Sequence, residues 1–349
     1  MSEPIKRFIE TFIPGTTCNL KCHYCYLAQN NVSTHQKADF HFSREQMRKA
    51  ITKERLGGAC YFNLCADGET LLEPRTVEFM RDALELGHYT AVVTNGTLSA
   101  RFKEIALWPK QLRENIFFIF SFHYLELQRL NLLSVFFDNV RLMRDSGCSF
   151  TISIVQCEEY IQHYSDIKEL FMKELQLMPQ IAKYRDDLSE GITIKTSRPV
   201  AEYFDIGIKE FHSALFQFEK ETYQKNLRDH FCYAGDWQFY LNLCTGAMHA
   251  CYSQPCFNNL FERPEEPLHF TAIGKHCRVP YCYNGSARLP FGLIPSYDFD
   301  YYWQYFDCVN SNGISSITDH MKSALSSKFY NLHKKYSPLK KLVINLKNN

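Results

Sequence analysis

Cys18-Asn-Leu-Lys-Cys22-His-Tyr-Cys25 places three thiols at the spacing C-x3-C-x2-C. Three thiolates on one short loop can ligate three irons of a cubane iron–sulfur cluster, and runs that saturate such a cluster supply a fourth cysteine. None lies between Cys25 and Cys60, which leaves one iron open to a small molecule. An open metal position is what catalysis requires. The alternative chemistry is a zinc ion with a distant fourth ligand. A second group, Cys232, Cys244, Cys251, Cys256, Cys277 and Cys282, lies in aromatic, turn-rich sequence beyond residue 225 and reads as a small metal-organised unit.

The elements that must position the first group are strand-like runs at Arg7 to Ile13, Ala59 to Cys65, Thr90 to Thr94, Ile116 to Ser121, Ser149 to Gln156 and Gly191 to Thr196. Each precedes a segment able to form a helix. Pro74, the apolar face of Val77, Met80 and Leu84, and Gly87 mark one helix from first turn to stop, and Ser43-Arg-Glu-Gln46 reads as a capping box opening another towards Leu56. Alternating strands and helices over about 200 residues predict a parallel α/β array, with the cysteine trio directly after its first strand.

The spacing and the aromatic Tyr24 resemble the C-x3-C-x-aromatic-C signature of the radical S-adenosylmethionine (radical SAM) superfamily. The resemblance covers roughly residues 5 to 200 and implies a partial (β/α)6 TIM-like barrel. It also implies a [4Fe–4S] cluster on Cys18, Cys22 and Cys25 that binds SAM, cleaves it on one-electron reduction and generates a 5′-deoxyadenosyl radical that takes hydrogen from substrate. Ala66-Asp67-Gly68-Glu69-Thr70 stands where the family has a Gly-Gly-Glu-Pro-like turn, with Asp67 for the first Gly and Thr70 for Pro. By this resemblance Tyr24, Gly68, Glu69, Thr70, Asn95 and Ser121 are expected to contact SAM, and Gln156, at the end of the fifth strand, is expected to contact SAM or substrate. His123 reads equally as a proton carrier or as a structural polar residue.

Cys232-x13-Gly246-x4-Cys251 is similar to the opening of the SPASM/twitch extension behind many radical SAM barrels. One auxiliary [4Fe–4S] cluster is the expectation, on Cys232, Cys251, Cys256 and either Cys277 or Cys282, with Cys244 a strand residue and Gly246 a hairpin bringing Cys251 near Cys232. A zinc knuckle on the same thiols is the alternative. The implied division is a barrel over 1–215, an auxiliary cluster domain over 216–296 and an aromatic, helical tail over 297–349. Cys60, Cys65, Cys148, Cys157 and Cys308 are isolated and read as small buried hydrophobes.

With 39 Lys and Arg against 38 Asp and Glu, the 349-residue chain carries no basic stripe for a nucleic-acid partner. Its 45% hydrophobic content is that of a folded chain. The start lacks the apolar run of a secretory signal, and no run of ~18 apolar residues occurs, so the expectation is a cytoplasmic protein with no membrane partner. Family resemblance makes a peptide or protein side chain the expected substrate, with a sugar, nucleotide or other metabolite second, and implies an electron donor such as flavodoxin or ferredoxin. A non-catalytic zinc- or cluster-stabilised binding module is the rival of a different class.

Overall fold

The computed structural model describes residues 2–189, 191–252, 254–275, 277–308 and 312–347. Strand β1 (Arg7–Ile13) pairs in parallel with β2 (Cys60–Ala66), and the ladder continues through β3 (Tyr89–Thr94), β4 (Ile116–Ser121), β5 (Ser149–Gln156) and β6 (Gln180–Lys183). Parallel neighbours need crossovers, which the helices Pro74–Glu85, Ser99–Ala106, Leu133–Asp145 and Tyr164–Glu174 help to supply. The result is an α/β fold with a partial, TIM-like barrel of six parallel strands.

The first five strands fall at the expected places, and the sixth does not. It is Gln180–Lys183, whereas the run from Gly191 contributes only β8 (Thr193–Ile194), paired antiparallel with β7 (Arg185–Asp186). Ser43 caps as expected, its Oγ accepting from the Gln46 amide at 3.2 Å. The Gln46 side chain donates instead to the Phe261 carbonyl, and the helix stops at Ala50 before a second short helix, Lys53–Leu56, capped by Thr52.

The chain returns to the same sheet after residue 235. Strand β9 (Gln238–Asn242) lies parallel to β1 on its free edge, followed by antiparallel β10 (Ala247–His249) and β11 (Cys256–Asn259). Gly246 turns this hairpin at φ +72°, its amide donating to the Asn242 carbonyl at 2.8 Å. Cys244 is therefore not a strand residue: it lies buried in the turn past β9.

Alternation along the strands divides the core in two. Ile9, Ile13, Phe62, Leu64, Phe118 and Phe120 face the crossover helices and pack with Met80, Phe102 and Phe136. Phe8, Tyr61, Tyr89 and Phe117 point to the other face, where the C-terminal segment covers them with Phe291, Tyr302, Met321 and Phe329. Each fully buried aromatic contributes about 1.5–3 kcal/mol, so this plug is a substantial part of the fold. Tyr302 of the Tyr301-Tyr302-Trp303 cluster is thus packing. Among the described residues, no helix is long and apolar enough to cross a membrane.

Candidate functional site

The loop leaving β1 carries the cysteine trio into a cavity of about 480 Å³ at the C-terminal ends of the strands. Cys18, Cys22, Tyr24, Cys25, Gly68, Glu69, Asn95, Ser121 and His123 all line it. So do Asp67, from the same turn as Gly68 and Glu69, and Lys183, Arg185 and Asp187, which carry no motif in the sequence.

The loop is held from several sides. The Cys18 amide donates to the Thr34 carbonyl at 3.3 Å, and the Lys21 amide to Glu126 Oε1 at 2.7 Å. Asn95 Nδ2 donates to Asn19 Oδ1 at 2.8 Å, while Asn95 Oδ1 accepts from the Thr97 amide and hydroxyl. The Asn95 amide group thereby clamps the cysteine loop to the end of β3. Glu69 is a buried hub: its carboxylate accepts from Thr94 Oγ1 and the Asn95 amide at 2.7 Å and from the Leu71 amide at 3.1 Å. Burial raises its pKa despite these donors. Gly68 is glycine because of the chain beneath it, since a Cβ there would stand 2.1 Å from the Thr17 carbonyl oxygen. Among the described residues no hydrogen bond engages the Ser121 hydroxyl, which is left to serve the cavity.

Tyr24 lies against the cavity wall with its hydroxyl bonded to His123 Nδ1 and within 3.3 Å of the Tyr160 hydroxyl. Burial lowers the His123 pKa to about 4, so the ring is neutral near pH 7. Two expected contacts lie outside the cavity lining. Thr70 is buried and its hydroxyl accepts from the Ala66 amide at 3.1 Å, closing its own turn. Gln156 is fully buried, with its amide bonded to the Tyr203 carbonyl and accepting from Tyr164.

The second group gathers around a separate small cavity lined by Cys232, Cys251, Cys277 and Cys282. Both Cys277 and Cys282 belong to it, and Cys256 does not. Strand β11 carries Cys256 to the surface, where its thiol meets the Asn258 carbonyl. Cys232 is fixed by a two-bond bridge to Gly274, and Arg288 reaches Cys251 Sγ with Nη1 at 3.0 Å. Of the isolated cysteines, Cys60, Cys148, Cys157 and Cys308 are buried, while Cys65 is partly exposed and lines the larger cavity.

Burial and mutual repulsion push these thiols up: Cys18 to about 11, Cys282 to about 11, and Cys22, Cys25, Cys232 and Cys277 upward as well. Such groups ionise when a metal replaces their protons. Sulfurs around one tetrahedral zinc stand about 3.8 Å apart. Among the described residues neither thiol group has three sulfurs within 4.8 Å of one another; the one donor set that does is His23, Cys157 and Glu159 on the rim.

No protein-family model and no curated protein matches the chain. Solved structures match by shape. SuiB of Streptococcus suis, bound to its precursor peptide SuiA, matches with a TM-score of 0.52 and 15% identity over 76% of this chain. Native anSMEcpe with bound AdoMet and Cp18Cys peptide matches with a TM-score of 0.50 and 17% identity over 74% of this chain and 79% of its own. Both are radical SAM enzymes. This chain has the radical SAM fold. It spans 64% of the length of SuiB. Within the radical SAM fold, the trio sits on the loop after the first strand, at the face of an α/β barrel where catalytic groups gather.

Proposed function

We propose that the protein is a radical SAM enzyme with one auxiliary cluster. The observation that carries this reading is the convergence, in one cavity at the strand ends, of three thiols from a single eight-residue loop with polar groups from four strands, the remaining thiol of the lining being Cys65 of β2. Cys18, Cys22 and Cys25 would hold a [4Fe–4S] cluster, which supplies the electron that cleaves SAM and so furnishes the radical for hydrogen abstraction. The chain's own residues do the rest. Glu69 and Asn95 keep the cysteine loop and the end of β3 in register, and Ser121 offers a free hydroxyl to the cavity.

Cys232, Cys251, Cys277 and Cys282 are assigned the auxiliary cluster, a closed site with four thiols and no open position. The division into a barrel over 1–215, an auxiliary unit over 216–296 and a tail over 297–349 belongs to the same reading, as does a donor such as flavodoxin or ferredoxin. A peptide or protein side chain is the proposed substrate. Two proteins of this fold, SuiB and anSMEcpe, are seen with peptides bound, which supports that choice.

The test is an anaerobic assay of reconstituted protein with SAM and dithionite, counting iron and sulfide and following 5′-deoxyadenosine by mass spectrometry. About eight irons per chain with SAM cleavage is the expected result. Zinc with no cleavage overturns the reading. Product formation confined to a metabolite pool, with a peptide pool inert, moves the substrate to the small-molecule class.

A further inference from the structure

Arg288 closes the helix Gly285–Arg288, six residues beyond Cys282, and is only 2% exposed. Its Nη1 stands 3.0 Å from Cys251 Sγ, its Nε donates to the Asn284 carbonyl at 3.3 Å, and its guanidinium lies 4.8 Å over the Tyr252 ring. Among the described residues no carboxylate comes within 4.0 Å of it. A guanidinium cannot shed its proton, and burying it is costly unless negative charge compensates. The charges that favour it are first those of Cys251 and Cys282, then Glu10 on β1.

The trio has mixed surroundings. The carboxylates of Glu69, Asp67 and Asp187 line its cavity together with Lys183 and Arg185, Asp187 is paired with Arg185, and Glu126 is paired with Arg129. Around the quartet the acting side chains outside the thiols are cationic: Arg288 and Lys183 on Cys282, Arg288 and Arg228 on Cys277. Cluster potentials follow net charge and hydrogen bonds to the sulfurs.

We propose that Arg288 raises the one-electron reduction potential of the cluster held by Cys232, Cys251, Cys277 and Cys282. The inference rests on the assignment of that cluster made above. Reduction adds one electron and no proton, so the bound cluster becomes more negative by one, and a fixed cation at a ligand sulfur favours that state. Arg288 is a positioning and tuning residue, acting on the cluster through Cys251.

The experiment uses the full chain carrying Cys18→Ala, Cys22→Ala and Cys25→Ala, reconstituted anaerobically, so that only the quartet holds iron. Its midpoint is read by electron paramagnetic resonance during a dithionite titration. Arg288→Gln is expected to weaken the reduction equilibrium tenfold or more, a fall of at least 59 mV for one electron. Arg288→Lys, which keeps the charge, should recover part of that shift. A midpoint unmoved by Arg288→Gln overturns the proposal. Should Arg288→Gln fail to hold iron, Arg288→Met decides: it fills much the same buried space without the charge, its midpoint must fall as well, and an unchanged or higher value overturns the proposal. A parent chain with no reducible cluster overturns the assignment of the quartet itself, and is recognised because iron, not the midpoint, is what has changed.

Discussion

Three thiols at the mouth of the barrel and four beside the Gly285–Arg288 helix share a chemistry and differ in almost everything around it. The trio comes from eight consecutive residues and faces a cavity of about 480 Å³ whose charged lining mixes Asp67, Glu69 and Asp187 with Lys183 and Arg185. The quartet is collected from residues as far apart as Cys232 and Cys282, fills its own small cavity, and has a buried guanidinium against it. An open site suits a cluster that must give an electron to a bound molecule. A closed site with a cationic neighbour suits one that receives or relays.

The comparison breaks most sharply at the thiols. Alanine at Cys18, Cys22 or Cys25 should take 5′-deoxyadenosine production to background, and unchanged production in all three variants defeats the assignment of the trio. Cys282→Ala should lower iron from about eight to about four per chain while some SAM cleavage persists. Cys256→Ala, at a thiol the fold sends to the surface, should leave iron unchanged, and a loss equal to that of Cys282→Ala would return Cys256 to the ligand set.

Smaller effects sharpen the barrel side alone. Glu69→Ala orphans Thr94 Oγ1 and the amides of Leu71 and Asn95, and should destabilise the chain by about 2–4 kcal/mol in anaerobic urea unfolding. Glu69→Gln should recover part of this. His88 gives the smallest effect near neutrality. Its Nδ1 accepts from the Cys60 amide at 3.0 Å, Nε2–H donates to the Ile51 carbonyl at 2.6 Å, and burial lowers its pKa from 6.5 to about 4. The unfolded chain takes up this proton first as pH falls. Stability is therefore fully present above pH 6.5 and drains away towards about 4, at up to about 1.4 kcal/mol per pH unit for this one group. His88→Gln should flatten the slope by that amount, and an unaltered slope rejects His88 as its source.

What could be read from the sequence follows the range of the interactions concerned. The trio and strands β1 to β5 are local signals: fixed cysteine spacing, and β-branched or aromatic runs of six to eight residues. Strand β6 escaped because Gln180-Ile-Ala-Lys183 is four residues long and follows Pro179, while Ile192-Thr-Ile194 has the stronger propensity and forms only a two-residue ladder. Cys256 was misplaced because spacing does not say which way a hairpin turns its second strand. Thr70 and Gln156 have the right residue types near strand ends, yet neighbouring chain consumes their polar atoms. Arg288 gave no signal at all, since nothing in Gly285-Ser-Ala-Arg288 distinguishes a surface arginine from one folded onto a thiol.

Strand β9 hydrogen-bonds along β1 from Phe8 to Phe12, so the segment leading to the quartet is laced to the very strand whose end carries the trio. A ladder of that kind has no pivot. The separation of the two thiol groups is thereby written into the backbone pairing of β1 with β9, as the span of a caliper is written into its beam.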